Sequence, residues 1–243
     1  MARFITANDI INRVAIEVGI LPTADPVGST EEAYIQLTGL LTAAGQEMIE
    51  INAWEGQIER FSFTVLAGNT GIYSLPDDYA YMVDQTGWDF VNLLPIAGPL
   101  NAQQWAAVTA QAPLTSLIYS SFRLIGNDFE MWPKPAKTGM GVSFEYISRN
   151  WVQEAGPSQV KRDTISDGGN IVLFEPILMV KFLKLKWLTS KGFDASAAAL
   201  DFDTILQGRM GRDAGAPILN AGSGSGFPYL NAWRNVPSSF YGM

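Results

Sequence analysis

Phe122-Arg-Leu-Ile-Gly-Asn-Asp-Phe-Glu-Met-Trp-Pro-Lys-Pro135 and, six residues on, Val142-Ser-Phe-Glu-Tyr-Ile-Ser148 decide how the rest of the chain reads. Phe122 and Leu124, then Phe129 and Met131, alternate with polar neighbours on either side of Gly126-Asn127-Asp128. That pattern predicts two half-buried strands joined by a tight turn whose Gly and Asn can take positive φ. Pro133 and Pro135 end the second strand, because proline has no N–H to give to a ladder. After the Thr138-Gly139 turn, Val142, Phe144 and Tyr146 predict a third strand. An antiparallel meander therefore sits near the middle of the chain.

Working outward, composition removes several kinds of function. The chain has 243 residues with no cysteine and no histidine. A Ser-His-Asp triad, a thiol nucleophile and an ordinary zinc site are thereby excluded. Catalysis would fall to carboxylates, Lys, Tyr or a hard metal on oxygen ligands, so we expect no enzyme, no cofactor and no metal. Hydrophobic residues make up 47% and charged residues 16%, so some apolar surface is expected to be covered by partners. No run of about 18 uncharged apolar residues and no secretory leader is present, which predicts a soluble, unexported protein with no membrane partner.

Charge is uneven. Residues 1–100 carry 13 acidic and 3 basic side chains, net −10; residues 101–243 carry 11 and 13, net +2, giving the overall −8. Such a chain repels phosphates, whereas tight DNA binders neutralise them with Lys and Arg. Lys161-Arg162 is the only adjacent basic pair, far from a nucleic-acid stripe.

On the N-terminal side, Thr6 and Asp9 predict a helix start, followed by Ile10, Ile11, Val14 and Val18 at helical spacing and by Gly19 as a stop. Ser29 and Glu32 predict a capping box for a second, longer helix. Its stripe of Tyr34, Leu37, Leu41, Ala44, Met48 and Ile51 faces a partner helix. From Gly56 the period becomes two: Phe61, Phe63 and Val65, then Ile72 to Leu75, then further strand over residues 81–97. Asp77-Asp78 reads as a strand stop rather than a cation site. Asn101 caps a short helix containing Trp105.

On the C-terminal side, residues 152–170 are polar and turn-rich, a crossover back to helices. Pro176 opens a helix with broad apolar surface (Leu178, Met179, Phe182, Leu183, Leu185 and Trp187), Gly192 ends it, and Asp194 and Ser196 begin the last one. Beyond Gly215 a Gly-Ser run at 222–226 precedes Phe227, Tyr229, Trp233, Phe240 and Tyr241, with Arg234 the only charge. A free linker is not this aromatic. The expected fold is α+β: a helical bundle from both chain ends (1–56 and 171–214), a central antiparallel β-region (57–170) and an extended C-terminal arm (215–243).

The quoted stretch also carries a resemblance. Phe122, Arg123, Gly126, Asn127, Pro133 and Pro135, running into Phe144 to Ser148, resemble the β-region of the head-to-tail adaptors of short-tailed bacteriophages, the tail tubular protein A family. Upstream, Tyr73-Ser-Leu-Pro-Asp-Asp-Tyr79 fits the same family. The resemblance implies a virion structural protein at the head-tail junction, made in the host cytoplasm. It implies a dodecameric homo-oligomeric ring on the portal protein, a docking platform for the tail nozzle or tail tube protein, and a DNA ejection conduit without specific DNA binding. Phe227, Tyr229, Trp233, Arg234, Phe240 and Tyr241 are then the candidate contacts with portal or neighbouring subunit. Competing classes are a carboxylate-based hydrolase, with pairs such as Asp77 and Asp84, and a glycan-binding β-module, which the seven tryptophans permit.

Overall fold

The computed structural model describes residues 3–110, 120–134, 136–157 and 159–213. In chain order they form α1 (Ala7–Glu17), α2 (Glu32–Ile51), β1 (Ile58–Thr64), β2 (Ile72–Ser74), β3 (Tyr79–Met82), β4 (Trp88–Asp89), β5 (Leu94–Pro95), α3 (Ala102–Ala110), β6 (Ser121–Ile125), β7 (Asp128–Trp132), β8 (Gly141–Ser148), β9 (Val152–Gln153), β10 (Lys161–Arg162), β11 (Ile171–Val172), α4 (Pro176–Ser190) and α5 (Ser196–Asp213).

Local chemistry accounts for most boundaries. Thr6 and Asp9 close a reciprocal capping box on α1. At its other end Gly19, at φ +81°, lets Ile20 N–H reach Ala15 C=O at 2.8 Å, the bond of a Schellman stop. Gly192, at φ +73°, repeats the device for α4, with Phe193 N–H on Leu188 C=O at 3.0 Å. The box expected at Ser29 and Glu32 does not form. Glu31 is the N-cap of α2 and makes no side-chain cap, and Ser29 Oγ instead accepts from Glu31 N–H.

Of the expected meander the first two strands form a hairpin, but the third, β8, does not pair with β7 and belongs to another sheet. In the β6–β7 hairpin Phe122 faces Met131 and Arg123 faces Glu130. Gly126 takes positive φ in its turn and Asn127 does not. This hairpin and β2 make one three-stranded sheet, in the order β2-β7-β6. A second sheet runs β1-β8-β4-β5, with β3 also on β8. Within the first sheet Phe122 stacks on Phe129 at 4.4 Å, and the two sheets pack face to face through Phe129 on Phe144 at 5.3 Å and Phe63 on Tyr73 at 4.1 Å.

The fold class requires a correction. The described chain is mixed α/β, with five helices and three antiparallel sheets, not a bundle assembled from the two chain ends. Helices are spread along the sequence, and α3 lies inside the β-region. The core beside the helices is completed by strand and loop residues, namely Ile147, Trp151, Val152 and Val172. The physical reason is the breadth of α4's apolar surface: Leu178, Met179, Val180, Phe182, Leu183 and Trp187 are all buried, and a helix apolar on several sides needs more neighbours than helices alone supply. The third sheet, β10-β9-β11, falls in the stretch expected to be only a crossover. The arm expected at 215–243 lies outside the described residues.

Candidate interaction surface

Where further strand was expected over residues 81–97, β4 and β5 are only two residues each, joined by a loop. The cause is Asp89, which is 2% exposed. Its Oδ1 accepts from the N–H groups of Val91 at 3.0 Å, Asn92 at 3.2 Å and Gly141 at 3.1 Å, and its Oδ2 accepts from Asn92 Nδ2. Those bonds draw two backbone donors away from the ladder and clamp the loop to β8. Leu93 completes the turn at φ +56°, a conformation that costs a side-chain-bearing residue about 1–3 kcal/mol. The loop held this way presents Phe90, Val91 and Leu93 to solvent, 54%, 65% and 68% exposed. An apolar tip fixed by a buried carboxylate is preorganised for contact.

Beside the tip runs a groove of about 390 Å³, lined by Arg60, Ser62, Thr64, Phe90, Gly141 and Ser143. Arg60 forms an ion pair with Glu145 at 2.9 Å and lies over the Phe90 ring at 6.0 Å. Ser62 and Ser143 hydrogen-bond each other at 2.9 Å. A smaller cavity of about 150 Å³ opens between the start of the described chain and the end of α5. Trp54 and Phe174 are among its lining residues, and Arg209 there is tied to Glu175 at 2.9 Å.

The residues quoted for the family resemblance have structural work. Arg123 donates to Glu130 at 2.9 Å and lies 4.9 Å from the Trp105 ring centre. Asp78 accepts from Tyr146 Oη at 2.9 Å and from Ser148 Oγ at 2.6 Å, closing the Leu75-Pro-Asp-Asp turn onto β8. Burial, then the hydrogen bond and charge of Asp78, push the Tyr146 phenol well above the usual tyrosine range. Pro135 lies outside the described residues.

Asp77 and Asp84 flank β3 at exposed positions, and neither lines the groove or the cavity described above. Among the described residues no group of three or more acidic side chains is placed to hold a metal ion, and no helix is long and apolar enough to cross a membrane. The candidate contacts Phe227, Tyr229, Trp233, Arg234, Phe240 and Tyr241 lie outside the described residues. No family model and no curated protein matches this chain.

Sequence reasoning missed Asp89 and the tip it holds. The available signal was the Asp89-Phe-Val-Asn92 spacing, which suits an Asx turn, set against a strand pattern in which Phe90 and Val91 are adjacent rather than alternating.

Proposed function

We propose that this chain is a virion structural protein, the subunit of a head-to-tail adaptor ring that binds a portal protein, extends the DNA channel and offers a platform to the tail. The observation carrying this reading is that the described residues of the resemblance form one contiguous unit. Phe122 of β6 stacks on Phe129 of β7, which stacks on Phe144 of β8, while Asp78 of the upstream motif joins Tyr146 and Ser148 of the same strand. A motif scattered over the surface would carry no such weight.

Two further features support it. The preorganised tip of Phe90, Val91 and Leu93 suits heterologous contact between two different patches, as ring closure requires. The acidic first hundred residues suit a conduit that duplex DNA traverses without adhering, through like-charge repulsion. In this reading the aromatic residues of 227–241 serve portal or neighbouring subunit.

The test is to mix the protein with its cognate portal and examine the particles by negative-stain microscopy and light scattering. Stacked rings are expected. A protein that stays monomeric beside the portal overturns the reading.

A further inference from the structure

β1 is the end strand of its sheet, and its one strand partner among the described residues is β8. On the other side of β8, Glu145 C=O accepts from Val83 N–H and Gly141 C=O from Phe90 N–H, both at 2.9 Å. The odd-numbered residues of β8 thus bond towards β3 and β4, and the even-numbered ones towards β1. The register makes their partners Phe61, opposite Phe144, and Phe63, opposite Val142. Arg60, Ser62 and Thr64 are left to direct N–H and C=O away from the sheet, where those groups have no partner among the described residues. Ile58 differs, because its N–H already donates to Glu55 C=O in the preceding turn.

Folded proteins normally guard such an edge with a proline, a bulge or a charge that repels another strand. β1 has no proline, and its register on β8 runs without a bulge. Its two charges are both answered within the chain, Arg60 by Glu145 at 2.9 Å and Glu59 by Lys161. On the inner face Phe61 and Phe63 are half-buried, with rings against Phe144 and Tyr73. On the outer face Ser62 is small and bonded to Ser143 at 2.9 Å. The edge is open, apolar on one side and low on the other.

We propose that this edge pairs with the same edge of a second copy of the chain, antiparallel about a two-fold axis at Ser62, so that one sheet runs through both copies. The occupant follows from the strand's self-complementarity. The three residues with free backbone groups are symmetric about Ser62. Pairing there sets Ser62 against Ser62 of the second copy and Arg60 against Thr64 of the second copy, and every free N–H and C=O finds a partner. Other registers do worse. An axis at Phe61 sets Thr64 against Ile58, whose N–H is taken; one at Phe63 sets Arg60 against Leu66, which lies beyond the strand; one at Arg60 opposes two like charges. On the inner face the Ser62 register brings Phe61 opposite Phe63 of the second copy, about 4.5 Å apart at Cα, an aromatic pair of the kind that stabilises sheets. Such a contact is isologous and closes at two copies. It belongs to the free protein and uses none of Phe90, Val91 and Leu93, which stay available for heterologous contacts. The inference does not rest on the adaptor reading, and its test uses the isolated protein without portal, so the two can fail separately.

Because the chain has no cysteine, a single introduced thiol is the only one present. Opposed Ser62 positions lie about 5.5 Å apart at Cα, within reach of a disulfide. Two copies of Arg60, or of Thr64, are instead offset by about 13 Å along the strands. Under mild oxidation full-length Ser62→Cys should form covalent dimers about tenfold faster than Thr204→Cys, whose thiol sits on an exposed part of α5. Arg60→Cys and Thr64→Cys should each stay near that control alone and link to one another when mixed. Ser62→Cys dimers no faster than the control, or Arg60→Cys and Thr64→Cys linking to themselves as readily as to each other, overturn the proposal. A proline gives a second readout that thiols cannot disturb. Ser62→Pro removes an outward N–H and no bond to β8, so the strand should hold while the copies separate. Arg60 and Thr64 amides should exchange about tenfold more slowly in the unmodified chain than in Ser62→Pro, with Phe61 and Phe63 slow in both. Light scattering should give two copies for the first and one for the second. Edge amides that exchange freely in the unmodified chain, or are protected in a chain that scatters as a single copy, contradict the pairing.

Discussion

The core beside the helices and the core between the two larger sheets solve the same burial problem with different material. The first gathers aliphatic side chains of α1, α2 and α4 around Trp151, whose Nε1 donates to Asp163 C=O at 2.7 Å. The second is a file of aromatic rings, Phe122, Phe129 and Phe144, closed by Tyr146. The division falls inside β8, where Phe144 and Tyr146 point into the sandwich and Ile147 into the helical side. Helices meet through small residues and interdigitating branches, so their core fails when something is added. Stacked rings depend on each member's bulk, so theirs fails when something is removed.

Removal is the larger effect. Phe129 is fully buried and touches a ring on either side. Phe129→Ala should cost about 3–5 kcal/mol, read as a fall in the denaturant midpoint. A loss below about 1 kcal/mol would mean the sandwich can collapse onto the gap, and the contrast would lose its basis.

Addition comes next, and it can be given a change of sign. A Cβ built on Gly45 of α2 would lie 2.3 Å from the Trp151 ring, whereas one on Gly39 of the same helix meets nothing within 4 Å. Gly45→Ala should therefore destabilise by about 1–3 kcal/mol despite the better helix propensity of alanine. Gly39→Ala should stabilise by about 0.5–1 kcal/mol. Thermal unfolding of the two variants reads both signs, and stabilisation by both would show that Trp151 yields easily.

These glycines also show how much of the molecule the sequence discloses. The β6–β7 hairpin and the strand from Val142 to Ser148 were legible because alternation, a Gly-Asn turn and proline stops all point one way; that β8 leaves the hairpin for another sheet was not, because its partner β1 lies about eighty positions away in sequence. Helix ends at Gly19 and Gly192 were legible for the same reason. Gly45 was not, because an isolated glycine inside an apolar stripe looks like a weak helix residue until its neighbour is known, and Trp151 is more than a hundred positions away in sequence. The helical region was misjudged because periodicity shows that α4 is apolar on several sides but not what covers them; strands did so where helices were expected. The tip at Phe90 stayed hidden because one buried carboxylate, Asp89, outvoted a local strand pattern. The groove beside β1 depends on which strand ends the sheet, a topological fact that no local window contains.

A smaller effect separates the sandwich's polar closure from its rings. Tyr146→Phe keeps the ring and removes the hydroxyl that donates to Asp78, leaving that carboxylate with Ser148. The expected cost is about 1–2 kcal/mol, in the range for a bond to a charged acceptor. The raised phenol adds an alkaline signature. A group whose folded pKa exceeds its unfolded value contributes stability below the unfolded pKa, near 10, and loses it as pH rises further. Wild-type stability should thus fall above about pH 10 more steeply than that of Tyr146→Phe; parallel curves would remove the hydroxyl from the account.

The smallest expected effect lies on the outer side of the hairpin, where Glu130 accepts from Arg123 and from Lys134. Burial raises the pKa of this carboxyl, but the hydrogen bonds and charges of Lys134 and Arg123 outweigh it and hold the group below its ordinary value near 4.5. A carboxylate depressed on folding adds stability at pH values above its unfolded pKa, and that contribution drains away as pH falls through the folded one. Glu130→Gln should therefore cost up to about 1 kcal/mol near neutral pH, the scale of a partly exposed ion pair. The gap between variant and wild type should begin to close below about pH 4.5 and vanish once the wild-type carboxyl is protonated in both states. Added salt should shrink the neutral-pH gap as well, because two of the three side chains are about a third or a quarter exposed. Chemical denaturation at several pH values reads the whole curve. A gap that persists unchanged into acid would assign Glu130 a packing role instead, placing it with the rings it borders rather than with the charges it faces.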